Sequence, residues 1–306
     1  MARATYATTL VQFLAQLVPS DRPDLVQLEF GSMLHYQAYL PQGAVCVATL
    51  HNLDSRALAH RLAHTTPWSA WMRRALGIPL MRAYERYYLG RCQAIITHAS
   101  ADADAVCRLG GTPRPHTIPT GISVPSQQLP LPPDPVLLFV GNGRHAANLD
   151  GLSWFLTHCW ADLCRQLPGI HLHLVGDALP HTGDPHISTH GMVADVAPYY
   201  AQARVAIAPI WWGAGLRVKI LEAWALRRPV VTTSIGYSGL EHHGDAVAIA
   251  DTAAQFVAAV VHLCTQPTAA ETLVATGWNA VQDYHWEQVV AQVSASYQQL
   301  LAEVTP

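Results

Sequence analysis

The stretch RVAIAPIWWGAGLRVKILEAWALRRPVVTTS, Arg204 to Ser234, holds a strand, a loop, a helix and a second strand in 31 residues. Arg204–Ile210 is an apolar strand, Val218–Arg227 has helical spacing, and Pro229–Ser234 is rich in β-branched residues. A strand, a helical crossover and another strand form the unit of a parallel sheet. The same grammar runs upstream. VLLFVG (Val136–Gly141) is followed by a helical pattern over Leu149–Leu167, then HLHLVG (His171–Gly176), HISTHG (His186–Gly191) and a helix near VAPYYAQA. A short strand, AVAIA (Ala246–Ala250), lies downstream. Such apolar runs predict a sheet covered on both faces, with ligands bound beyond the carboxyl ends of its strands.

The first 126 residues show the same pattern more sparsely. DLVQLEF (Asp24–Phe30), AVCVATL (Ala44–Leu50), QAIITHA (Gln93–Ala99) and HTIPTG (His116–Gly121) read as strands, and a long, mostly helical stretch lies between His51 and Gly90. QQLPLPPDP, Gln127–Pro135, has four prolines and reads as a stiff linker. The expected fold class is α/β with two Rossmann-like domains: 1–126, a linker 127–135, a second domain 136–285 and a C-terminal helix 286–306.

Half of the 306 residues are hydrophobic and 13% are charged, enough for a large core. A net charge of −3 gives no general attraction to nucleic acid. No apolar run reaches the ~18 residues of a membrane span, and MARATYATTLVQFLAQLVPSDRPD lacks a small-residue cleavage site. We therefore expect a cytoplasmic protein. The six cysteines include no CxxC pair and read as buried, reduced thiols. The chain uses 17 arginines and one lysine, Lys219.

That lysine sits in the stretch quoted first. Gly213 and Gly215 let backbone amides approach a ligand closely, and the helix start beyond them offers N–H groups and positive dipole to an anion. Arg217 and Lys219 add two formal charges suited to phosphate. Glu222, one turn on, suits the two hydroxyls of a ribose. The alternative is an ordinary surface helix with a Lys–Glu pair at i, i+3.

The run from Pro209 to Gly236 resembles the signature of retaining glycosyltransferases of the large family 4 group, which have the GT-B fold, two Rossmann-like domains facing a cleft. Within it the chain is similar to the subgroup with G-x-G-x-R-x-K-x-x-E-A-x-A in place of E-x7-E. FVGNGRHAANLDGLSWF, HLHLVGDALP, HGMVADVAPYYAQARVAIAPI, TSIGYSGLEHHGDAVAIAD and the terminal WEQVVAQV agree in order and spacing, covering about residues 134–304. The resemblance implies a nucleoside-diphosphate sugar as donor, with no cofactor and no metal. Arg217 and Lys219 would neutralise the diphosphate as leaving group, and Glu222 would hold the ribose. Gly191 and Val193 would line the base pocket, Gly141 would let the diphosphate or acceptor approach the first loop, and Asn148 fits a recurrent Pro-Asn position. Ala214 stands where the wider family has a glutamate touching the donor sugar, so the sugar is not named.

VATLHNLDSRAL is similar to the family's L-H-N-x-E-S segment, which implies His51 as a catalytic residue near the transferred sugar. Asp102-Ala-Asp104 has the form of a metal-binding DxD. We read it instead as the first turn of a helix capped by Ser100. His181, His186 and His190 are too irregularly spaced for zinc. Residues 56–91 hold seven arginines, one glutamate and five Trp or Tyr. They read either as a peripheral contact with the inner membrane face, or a lipid-phosphate acceptor face, or as a solvated arginine-rich helix pair. The acceptor implied is lipid-linked or a polysaccharide. Only 23 residues precede Asp24, where the family places a Gly-rich loop and further strand–helix units. The expectation is a truncated N-terminal domain. A catalytically impaired protein that binds a nucleotide or partner is the second reading.

Overall fold

The computed structural model describes residues 8–16, 21–63, 68–125 and 130–304. The chain divides into two compact units. One comprises Met1–Thr120, Ala214–Leu216 and Glu287–Pro306, the other Gly121–Gly213 and Arg217–Trp286.

The first unit contains α1 (Thr8–Gln16), β1 (Leu25–Glu29), a 3₁₀ run Gly31–Tyr39, β2 (Val45–Leu50), α2 (Asp54–Ala63), α3 (Trp68–Leu89), β3 (Ala94–Thr97), α4 (Ser100–Leu109) and β4 (His116–Thr117). Its four strands pair in the order β1-β2-β3-β4, all parallel. β2 is buried at every position, and its alternation feeds two cores. Cys46, Ala48 and Leu50 pack with Leu28, Leu34, Leu89 and Val106 on one face. Val45 and Val47 pack with Ile96 and Ile118 on the other. Register aligns Glu29 with Thr49 and Leu50 with Thr97, so the carboxyl ends of three strands come together.

The expected cap of α4 is not observed. Ser100 is the first helical residue rather than the cap, and Ala99 before it makes no side-chain cap. Asp102 is fully buried and takes a 2.9 Å ion pair from Arg56. It lies in the first turn of α4, as expected, and ties that helix to α2.

The second unit contains β5 (Val136–Val140), α5 (Ala146–His158), α6 (Trp160–Gln166), β6 (His171–Val175), β7 (Ile187–Thr189), α7 (Ala197–Gln202), β8 (Val205–Ala208), α8 (Val218–Ala225), β9 (Val230–Thr232), β10 (Ala248–Ile249), α9 (Ala253–Thr265) and α10 (Pro267–Val281). Its sheet runs β10-β9-β8-β5-β6-β7, again parallel. The helix expected over Leu149–Leu167 breaks at Cys159 into α5 and α6. Phe139, Leu152, Phe155, Leu172, Ile207 and Phe256 are among the buried residues of its core.

Gln127–Leu129 of the expected linker lie outside the described residues. The proline-rich remainder, from Pro130, is fastened to the second unit by two buried arginines. Arg228 donates to the carbonyls of Pro130 (2.9 Å) and Tyr200 (2.6 Å), and Arg204 to those of Pro132 (3.3 Å) and Leu263 (3.1 Å). The last helix, α11 (Trp286–Val304), supplies Val289 to the core of the first unit beside Val45, Val47 and Ile96, with Val293, Tyr297 and Leu300 packed against it. The six cysteines are free; Cys46, Cys92 and Cys159 are buried, while Cys107 is exposed on α4.

Candidate functional site

In the second unit the strands β5, β6, β7 and β8 deliver their carboxyl ends to one edge. Gly141 comes directly after β5. Gly176 comes after β6 and donates to the carbonyl of Gly191 after β7 at 2.8 Å. Gly213 lies in the loop after β8 at φ 127°, a conformation L side chains rarely adopt, and Arg217 crowds its Cα, with a guanidinium nitrogen 3.0 Å from where a Cβ would stand. This turn lets the chain enter α8 with Arg217 as its cap residue.

Lys219 sits on the first turn of α8 and is turned inward. Its Nζ donates to Asn148 Oδ1 at 2.8 Å and lies 4.5 Å from the centre of the Phe139 ring. Asn148 in turn donates to the carbonyl of Asn142 at 2.9 Å, which fixes its amide. A Cβ on Gly141 would stand 3.0 Å from Lys219 Nζ and 3.1 Å from Asn148 Nδ2. Gly141, Asn148 and Lys219 therefore meet at one point, with Phe139 beneath. Burial, and after it the Arg217 charge, push Lys219 down to about 7. An amine held dry beside a second cation is poised to take up a proton when an anion arrives.

Glu222 lies one turn along α8. Burial raises its pKa, and Lys219 and the Tyr200 hydroxyl oppose that rise. Tyr200 on α7 reaches Glu222 Oε2 at 3.5 Å and the carbonyl of Lys219 at 3.3 Å. Gly191 has φ 66° and Val193 is exposed to the same degree as neither neighbour, lying half-buried after β7. Gly215, at φ 81°, groups with the first unit. Neither Phe139 nor Tyr200 is marked out by the sequence; a buried ring under a lysine shows in no local spacing. Arg144 is exposed and pairs with Asp177 at 2.6 Å.

Of the three histidines read as too irregularly spaced for zinc, His190 meets a fourth, His173. His173 Nδ1 and His190 Nε2 are 2.8 Å apart, and burial drives His173 down to about 4. Among the described residues no group of three or more His, Cys, Asp or Glu is arranged to hold a metal.

In the first unit His51 comes directly after β2. Its Nε2 meets Glu29 Oε2 at 2.8 Å. Its ring stacks on Phe30 at 4.1 Å and takes His98 edge-on at 4.7 Å. His98 Nδ1 is held by the carbonyl of Ile118 at 2.8 Å, and burial lowers its pKa. Glu29, Phe30 and His98 stand at the ends of β1 and β3, and no sequence motif singles them out.

Two family models match the chain, described as Glycosyltransferase Family 4 over residues 2–124 and Glycosyl transferases group 1 over residues 134–266. The chain belongs to the group 1 glycosyltransferases of GT-B fold. Solved structures agree with this fold. Sucrose-phosphate synthase from Thermosynechococcus elongatus superposes with a TM-score of 0.69 at 19% identity, over 92% of this chain and 74% of that one. HepE of Anabaena, solved with UDP and glucose, gives 0.67 at 16% identity over 95% and 80%. TarM of S. aureus, solved with fondaparinux, α-GlcNAc-glycerol and UDP, gives 0.73 at 10% identity over 95% and 58%. An uncharacterized 44.6 kDa protein in the cps region of Klebsiella pneumoniae is 24% identical over 161 residues, 48% of this chain and 42% of that protein. The match thus spans less than half of that relative's length. No helix among the described residues is long and apolar enough to cross a membrane.

Proposed function

We propose that this glycosyltransferase moves a sugar from a nucleoside-diphosphate sugar to its acceptor with retention of configuration and without a metal ion. One observation carries the reading: the only lysine of the chain is buried at the strand ends, anchored by Asn148 beside Gly141, on the first turn of a helix capped by Arg217. Two cations and a helix start at one point supply the positive charge that a leaving diphosphate needs. Glu222 would accept the ribose hydroxyls, with Tyr200 holding its other side. Gly191 and Val193 would line the base, and His51 would face the transferred sugar. HepE and TarM, both solved with UDP, support a uridine nucleotide as the first to try. The departing diphosphate would take the acceptor's proton on the face it leaves.

Calorimetry with UDP, GDP and ADP beside a donor-hydrolysis assay tests this. We expect micromolar binding of one nucleotide and slow release of free sugar from its donor. Binding without any hydrolysis or transfer would favour a nucleotide-binding protein without catalysis, and absence of binding would overturn both.

The acceptor is proposed to lie at an anionic membrane. Trp68, Met72, Leu76 and Leu80 are exposed at four-residue intervals along α3, with Leu80 73% exposed and Trp68 and Leu76 each 69%. Residues 56–91 carry seven arginines against one glutamate, and burial of that glutamate, Glu85, raises it to about 7. An apolar stripe in a basic segment fits the boundary of an anionic bilayer. The protein should sediment with vesicles containing phosphatidylglycerol and not with pure phosphatidylcholine. A Trp68→Ser, Leu76→Ser double variant should bind them about tenfold more weakly. Equal binding by the double variant would remove the proposal.

A further inference from the structure

Phe30 is held in a backbone conformation that its side chain disfavours. Its φ is 69° and ψ 146°, a region populated almost only by glycine. Among the described residues the other two non-glycine residues with positive φ, Ala178 and Arg227, both have φ 55°. Nothing in the local hydrogen bonding asks for a phenyl ring: the Phe30 amide donates to the carbonyl of Thr49 at 2.9 Å, which glycine would do equally well. Glycine, in fact, is the next residue. The ring is not burying itself either, since Phe30 is 50% exposed although it lies against His51. The turn from β1 into the 3₁₀ run over-determines this strained backbone, and what it presents is a half-exposed aromatic ring open to a ligand.

The neighbours indicate what that is. Phe30 and His51 stack nearly parallel, 19° apart, so His51 backs one face of the Phe30 ring, with His98 bracing the His51 ring edge-on. Beside it Glu29 takes His51 Nε2 with one carboxylate oxygen and Gln27 Nε2 with the other. Gln27 is itself braced by the hydroxyls of Thr49 (2.9 Å) and of Tyr297 from α11. With Nε2 at the carboxylate, Nδ1 is the remaining polar atom of the His51 ring. An apolar ring face bordered by a carboxylate and an imidazole nitrogen matches a pyranose: a run of C–H bonds on one face and hydroxyls around its edge.

We propose that Phe30 is the stacking platform for the acceptor sugar, with Glu29 as a positioning residue that fixes the His51 ring. This rests on the glycosyltransferase reading above and names its acceptor class as a pyranose end rather than a lone lipid phosphate or a protein hydroxyl.

Phe30→Gly separates this from a structural role. Glycine relieves the strained backbone, so the variant should melt no lower than the wild type. Phe30→Trp keeps an aromatic face. The probes are the methyl glycosides of glucose, galactose, mannose and N-acetylglucosamine, observed by saturation-transfer NMR, with UDP-sugar hydrolysis measured in parallel. At least one glycoside should show transfer concentrated on the C–H protons of one ring face. That signal should fall at least fivefold in Phe30→Gly and survive in Phe30→Trp. Glu29→Gln should change the pH profile of glycoside-stimulated turnover without lowering the melting temperature. No saturation transfer to any glycoside, or an undiminished signal in Phe30→Gly, overturns the platform. Glycoside binding by a protein that hydrolyses no donor would instead overturn the enzymatic reading and leave the platform standing.

Discussion

Lys219→Met should abolish sugar transfer and leave a protein more stable than the wild type. The two effects have one cause. The lysine titrates at 10.5 in an unfolded chain and at about 7 in the fold, first because it is buried and then because Arg217 is near. The shift corresponds to about 5 kcal/mol of folding free energy lost at neutral pH. Methionine has nearly the same length and no charge to desolvate. Against the gain stands the hydrogen bond to Asn148 Oδ1, about 1–3 kcal/mol for a bond of this kind. The balance favours methionine by about 2–4 kcal/mol. The shift also sets the sign with pH. Between 7 and 10.5 the unfolded chain binds a proton that the fold does not, so this residue makes wild-type stability rise with pH across that window and saturate above it; the slope should vanish in Lys219→Met. Nucleotide binding should show the reverse. A diphosphate draws the proton onto Nζ, so affinity weakens as pH climbs above about 7, and calorimetry in buffers of different ionisation heat should register proton uptake. Turnover at the wild-type rate in Lys219→Met, or a lower melting temperature at neutral pH, would refute this account.

The strands and helices that deliver this lysine were legible because their signals are local. Arg204–Ile210, Gly213–Arg217 and Val218–Arg227 each carry their own pattern, and the observed β8, loop and α8 fall within those bounds. Resemblance to a family placed Asn148, Gly141 and Lys219 in one site, and the coordinates bring those three together. Asn148 and Lys219 are 71 residues apart, so no spacing rule connects them. Phe139 read only as a strand residue, because a ring supporting an ammonium from below is indistinguishable from core until the helix is docked. Asp102 lies in the first turn as read, but only packing reveals Arg56 beside it. Phe30 is the clearest limit. Its type suits a strand end, and the conformation that marks it is set by the turn from β1 into the 3₁₀ run, where the chain's path, not its composition, fixes φ.

Gly151→Ala should destabilise the second unit and weaken nucleotide binding, although alanine is ordinarily the better helix former. Gly151 lies within α5, where the exchange would normally stabilise by about 1 kcal/mol. Here a Cβ would stand 1.8 Å from the carbonyl oxygen of Pro209 and 3.0 Å from its carbon. Both are backbone, so no side chain can rotate away, and either α5 or the loop after β8 must move. Overpacking of this severity costs about 3 kcal/mol or more, which outweighs the propensity gain and should lower the melting temperature by about 10 °C. The movement falls where the donor is proposed to bind. One residue before Gly151, Asp150 Oδ2 accepts from Trp212 Nε1 at 2.9 Å, and one turn earlier Asn148 anchors Lys219. Withdrawing α5 from Pro209 therefore loosens the loop carrying Gly213 and takes the anchor from the lysine together. Nucleotide affinity should drop at least tenfold even well below the new melting temperature. Ser153→Ala, an exposed position on the same helix, should alter neither property measurably. If Gly151→Ala melts early and still binds nucleotide like the wild type, Asn148 and Lys219 do not depend on the seat of α5, and the diphosphate is held by groups other than these.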